Sequence, residues 1–168
     1  IGDSAMVSGN NVTQWQDISS MGNAANQSTG SNQPVKVDSL DKLNKHSIVR
    51  FDGIDDYLTI TDNSTVDFND SLTIYIIAKQ DSLLMDKTLI SKWTYPNNAS
   101  WALTTSYGSP SEVAFYVGNA INDNGSNRVR TTNANLSDTS FYVLGLIYNG
   151  SESTVTPYIN STAVSNVV

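Results

Sequence analysis

Three aspartates crowd the stretch V-R-F-D-G-I-D-D-Y-L: Asp52, Asp55 and Asp56. Carboxylates this close can bind a hard cation, share a proton in acid–base catalysis, or simply turn the chain. Calcium takes roughly six to eight oxygens from carboxylates, amides and backbone carbonyls, which loops rich in Asp and Asn can supply. Asp52, Asp55 and Asp56 are therefore candidate ligands, as are Asp62 with Asn63, Asp67 with Asp70, and Asp123 between Asn122 and Asn124. None of these groups has the spacing of an EF-hand loop. Asp-Gly-x-Asp-Asp is equally good turn chemistry, since Gly53 takes positive φ without strain and Asp side chains bond to nearby backbone N–H groups. On that reading Ser47–Phe51 and Tyr57–Ile60 are the two arms of a hairpin.

Catalytic chemistry finds less support. Glycoside hydrolysis needs two carboxyls facing one bond. The only two glutamates, Glu112 and Glu152, lie far apart in the chain, one at a strand start and one in a Ser-Glu-Ser turn. His46 is the single histidine, and no G-x-S-x-G elbow offers it a nucleophile. One His and no Cys also exclude a multi-histidine zinc cage, thiolate metal sites and disulfides. The residues read as those of a non-enzyme, with calcium as the one cofactor their chemistry admits.

Aromatic residues suggest binding instead. Trp93, Tyr95, Trp101 and Tyr107 cluster around the loop Thr94–Ser100 and the end of the strand that follows it. Planar rings stack on the apolar faces of sugars. Tyr95 is the candidate placed in a loop, whereas strand tryptophans such as Trp93 and Trp101 also suit a core. Glycosylation sequons begin at Asn11, Asn26, Asn63, Asn69, Asn98, Asn124, Asn135, Asn149 and Asn160. Their number suits a secreted chain in a glycosylating organism; a chain rich in Asn, Ser and Thr also produces such matches by chance.

The elements that must carry these residues are short. The chain has 168 residues and a formal charge of −7, and fourteen of its sixteen acids are Asp. Asp, Asn, Ser, Thr and Gly favour turns, and the residues that build long helices are scarce. The scattered basic residues disfavour a nucleic-acid partner, and no apolar run is long enough to cross a bilayer as a helix. Apolar, β-branched runs recur at 71–80, 88–93, 100–105, 113–117, 128–131, 141–148 and 155–159, separated by Gly, Asn, Asp and Ser. This is the pattern of an all-β antiparallel sandwich or barrel. Residues 18–33 hold little to bury and read as a wrapping loop.

The order of four motifs adds to this reading. Val12-Thr13-Gln14-Trp15-Gln16-Asp17 precedes Gln33-Pro34, then Arg50-Phe51-Asp52-Gly53-Ile54-Asp55-Asp56-Tyr57-Leu58, then the strand Ser71–Tyr75. The chain resembles the laminin-G-like, concanavalin A-like lectin/glucanase superfamily of microbial and viral surface proteins, from residue 12 to about 162. Tyr158-Ile159-Asn160-Ser161 is similar to a Y-V-N-G hairpin of that family, with Ser in place of Gly. The resemblance implies a single domain over 1–168 with a two-sheet jelly-roll sandwich. It also implies a site at a cell, pilus or virion surface, carbohydrate or protein partners, and Ca²⁺ in some members. The family's closing strand has no counterpart here, so an unpaired sheet edge is expected, filled by a further segment of a longer protein or by a neighbour. Two functions follow as expectations: an extracellular recognition or adhesion module, or a building block of a surface layer, filament or capsid. A glycoside hydrolase is a distant third.

Overall fold

The computed structural model describes residues 4–38, 43–68, 70–94, 98–105, 109, 111–117, 128–131, 134–164 and 166–167. The described residues are all-β, joined by turns and short 3-10 segments, and every strand pairing is antiparallel. None of their helices is long and apolar enough to cross a membrane. The chain divides into two compact units, Ile1–Phe68 and Asn69–Val168.

The first unit is a small sheet of short strands. β1 (Ala5–Ser8) and β2 (Asn11–Trp15) form a hairpin whose turn contains Gly9 at φ 65. β3 (Ala25–Asn26), β4 (Val35–Val37) and β5 (Ile48–Arg50) complete it, in the order β1-β2-β4-β5 with β3 beside β2. The stretch 18–33, expected as loop, thus contributes one two-residue strand. Apolar burial among its described residues is sparse, with Val12 and Pro34 the fully buried anchors. Amide side chains contribute instead. Gln27, itself buried, donates from Nε2 to the Tyr57 carbonyl (3.3 Å) and accepts from the Thr29 N–H (3.0 Å). Gln33 Nε2 donates to the Gln27 carbonyl at 2.8 Å. A buried amide bonded in this way avoids the cost of stranded polar groups.

The hairpin expected around Gly53 does not form. β5 pairs with β4, and Thr59 makes only an isolated bridge to Asn26. The reason is local. The N–H groups of residues 54–56 bond to Asp52 Oδ1, and the Tyr57 N–H donates to the Asn32 carbonyl at 3.2 Å. Those donors are not available to a ladder with β5.

The second unit is a sandwich. One sheet has five strands in the order β14-β10-β9-β8-β7: β7 (Thr88–Thr94), β8 (Asn98–Thr105), β9 (Val113–Val117), β10 (Arg128–Thr131) and β14 (Asn166–Val167). The other has four in the order β13-β12-β11-β6: β6 (Ser71–Ala78), β11 (Tyr142–Asn149), β12 (Thr154–Ile159) and β13 (Thr162–Ala163). Leu103, Val113 and Phe115 from the first sheet line one small cavity with Leu144, Leu146 and Pro157 from the second, so these faces meet as the core. Two threonines inside it are satisfied: Thr131 Oγ1 accepts from the Val113 N–H (3.0 Å), and Thr105 Oγ1 from the Lys87 N–H (2.8 Å). The β12–β13 hairpin turns through Asn160 (φ 50) and Ser161 (φ 69), so Ser stands where a two-residue turn with both φ positive favours Gly.

Candidate functional site

β6 reads S-L-T-I-Y-I-I-A, and its burial alternates strictly along the strand. Leu72, Ile74 and Ile76 are the more buried set, and Ser71, Thr73, Tyr75 and Ile77 point outwards. The ladder to β11 runs over eight residue pairs without a shift, setting Ile77 opposite Val143, Tyr75 opposite Gly145 and Thr73 opposite Ile147. Across β11, Gly145 faces Tyr158 and Ile147 faces Thr156. The outer face of the four-stranded sheet is therefore a grid of aliphatic, aromatic and hydroxyl groups.

Its centre is built around a missing side chain. A Cβ on Gly145 would lie 2.7 Å from Tyr75 Cε1 and 3.1 Å from Tyr158 Cβ. The Tyr75 ring thus leans across Gly145 towards Tyr158, in space that any larger residue would claim. Tyr75 is 63% exposed, Ile77 50% and Val143 37%. None of the four strands carries a charged residue, in a chain of net charge −7. Such a face can stack against, and hydrogen-bond to, a neutral partner. Sequence reasoning passed over Tyr75 and Tyr158, taking them as strand residues. The available signal was a glycine inside an apolar strand, which marks a close approach.

The aromatic cluster proposed from sequence is placed only in part. Tyr95 and Tyr107, and the side chain of Trp93, lie outside the described residues. Trp101 is in mid-β8 and 9% exposed, with its Nε1 buried and without a partner among the described residues. A ring so enclosed offers little surface for stacking.

Asp52, Asp55 and Asp56 do converge, each offering one carboxylate oxygen within 4.8 Å of the others. Asp52 organises the loop. Its Oδ1 accepts from the N–H groups of Ile54 (2.8 Å), Asp55 (3.3 Å) and Asp56 (3.3 Å), while Asp56 Oδ2 accepts from the Asp52 N–H (2.9 Å). The Ile54 N–H is the largest cause of an Asp52 pKa below the ordinary aspartate value. Asp17 is arranged alike: bonds from the Ser19 hydroxyl first, and from the Asn23 and Ser19 N–H groups, lower its pKa. Both carboxylates serve mainly as staples for their own loops. Asp62 and Asn63 are exposed and outside the Asp52 group, and the Asn63 amide donates to Asn23 Oδ1 and the Thr61 carbonyl. Asp123 lies outside the described residues.

The Asp52 staple predicts a pH response. Its folded pKa is lowered, so its contribution is complete above the unfolded value and is lost as pH falls through the folded one. Amide exchange at Ile54, Asp55 and Asp56, corrected for intrinsic rates, is expected to accelerate several-fold on acidification below that range. In Asp52→Ala the exchange should already be fast at neutral pH and show no such step.

Among the sequons, Asn26, Asn63, Asn135 and Asn160 are exposed and Asn11 and Asn149 half-buried. Asn69, Asn124 and the side chain of Asn98 lie outside the described residues. His46 and Glu152 are exposed and Glu112 is half-buried. Compared with protein-family models, curated proteins and solved structures, the chain matches none.

Proposed function

We propose that this chain is a non-catalytic recognition module of a cell-surface or virion protein, holding a glycan or a protein partner on the outer face of its four-stranded sheet. The observation that carries this reading is the uncharged Tyr75–Gly145–Tyr158 row on regular strands, with Tyr75 and the neighbouring Ile77 and Val143 exposed and Tyr158 half-buried. Binding groups mounted on strands keep their geometry better than groups on loops, and interface energy concentrates in a few aromatic anchors. The laminin-G-like order of motifs agrees with such a role, as do the sequons with an extracellular setting.

Tyr75→Ala is expected to weaken binding at least about tenfold, roughly the effect of losing an interface anchor. Tyr75→Phe should retain most of the affinity, and neither change should unfold an exposed position. Glycan arrays and display of surface proteins against wild type and both variants would check this. Blank arrays, or binding indifferent to Tyr75→Ala, would defeat the proposal.

A second reading, a building block of a surface layer, filament or capsid, is favoured by a different observation. β6 ends its sheet on one side, with no ladder partner there among the described residues.

A further inference from the structure

Sheet edges are normally blunted by shortness, bulges, charge or proline, because an open edge recruits other strands. The other edges here are blunted in these ways. β1 is four residues long and breaks register between Met6 and Val7. β5 has three residues, and β3, β13 and β14 have two each. β7 breaks register twice and carries Lys92. β6 differs on every count: eight residues, an unbroken ladder, no charge and no proline.

The direction of its backbone groups follows from two bonds. The Gly150 N–H donates to the Asp70 carbonyl (2.6 Å), so residues 70 and 150 form a hydrogen-bonded pair. Alternation along an antiparallel ladder then directs the backbone groups of Leu72, Ile74, Ile76 and Ala78 to β11. Independently, the Asn160 N–H donates to the Val143 carbonyl (2.9 Å), which assigns Val143, Gly145 and Ile147 to β12. The backbone N–H and C=O groups of Thr73, Tyr75 and Ile77 therefore point away from the sheet.

We propose that this edge pairs antiparallel with β6 of a second copy of the chain, joining two four-stranded sheets into one. The proposal rests on the assembly reading above and names its contact. Pairing about a two-fold axis at Tyr75 sets Thr73 opposite Ile77 on the outer face and Ile74 opposite Ile76 on the inner one. It also puts Ser71 opposite Lys79, so the exposed Asp70 at one strand end lies beside Lys79 of the second copy, which it would share with the Asp81 already paired to that lysine at 3.3 Å. A chain of net charge −7 repels its own copy, and contact through a strand without charge minimises that cost.

The test is the mass of the full chain by light scattering across a concentration series, with amide exchange by NMR. Wild type should pass from 18.2 kDa to about twice that mass, and the amides of Thr73, Tyr75 and Ile77 should become protected only in the dimer. Thr73→Pro removes an outward N–H and spares the β11 ladder, a position where an edge strand tolerates proline. It should leave the far-UV spectrum unchanged and hold the protein at 18.2 kDa. Ile77→Lys should do the same by charge. A monomer at millimolar concentration overturns both the pairing and the assembly reading. An assembly that survives both substitutions, or leaves those amides unprotected, overturns the pairing alone. Protection already present in the monomer would show the edge occupied from within the chain and also overturn it.

Discussion

Phe115→Ala should destabilise the second unit by about 3–5 kcal/mol, the usual cost of truncating a buried phenylalanine. Phe115 is 2% exposed, at the middle of β9, and borders the same cavity as Leu103, Leu144, Leu146 and Pro157. Removing the ring enlarges that cavity from both sheets at once, and strands pinned by ladders on both sides relax little into it. The chain has two compact units, so the loss should be read by probes within each rather than as one global midpoint. Urea titration followed by NMR is expected to show β8, β9 and β11 signals melting at lower denaturant. A midpoint unchanged for those strands would show that Phe115 does not anchor the two sheets.

Gly150→Ala should cost about 1–3 kcal/mol or more, through overlap rather than a void. A Cβ at this position would fall inside van der Waals contact of the Asp70 carbonyl oxygen. The obstacle is backbone, which cannot swing aside as the tip of a long side chain does. That same carbonyl accepts the Gly150 N–H at 2.6 Å, closing the end of the β6–β11 ladder. Relieving the overlap must lengthen that bond. Lower thermal stability with increased exchange at the Gly150 amide and at β6 amides bonded to β11 is the expected result, and unchanged protection there would refute the mechanism. Gly145→Ala is milder in kind, because its nearest neighbour is the Tyr75 ring, which can rotate.

Much of the second unit was legible in the chain. The runs 71–80, 113–117, 128–131 and 141–148 correspond to β6 (Ser71–Ala78), β9 (Val113–Val117), β10 (Arg128–Thr131) and β11 (Tyr142–Asn149). They were readable because β-branched and aromatic runs between turn residues have few other ways to bury their side chains. The stretch 47–60 was not readable in the same way. Asp52 can cap a loop or turn a hairpin, and which it does depends on where the Tyr57 N–H finds an acceptor. That acceptor is the carbonyl of Asn32, distant in sequence.

By itself, then, the sequence determined the all-β class and the strand positions of the second unit. These rest on local propensity and composition, which each residue carries wherever it lies. Only the tertiary structure decided that Asp52 is a staple and that Trp101 is enclosed. It alone set Tyr75 over Gly145 and turned the backbone of Thr73, Tyr75 and Ile77 towards an edge with no ladder partner among the described residues. Those outcomes depend on register, and register depends on pairing between segments that local sequence cannot see.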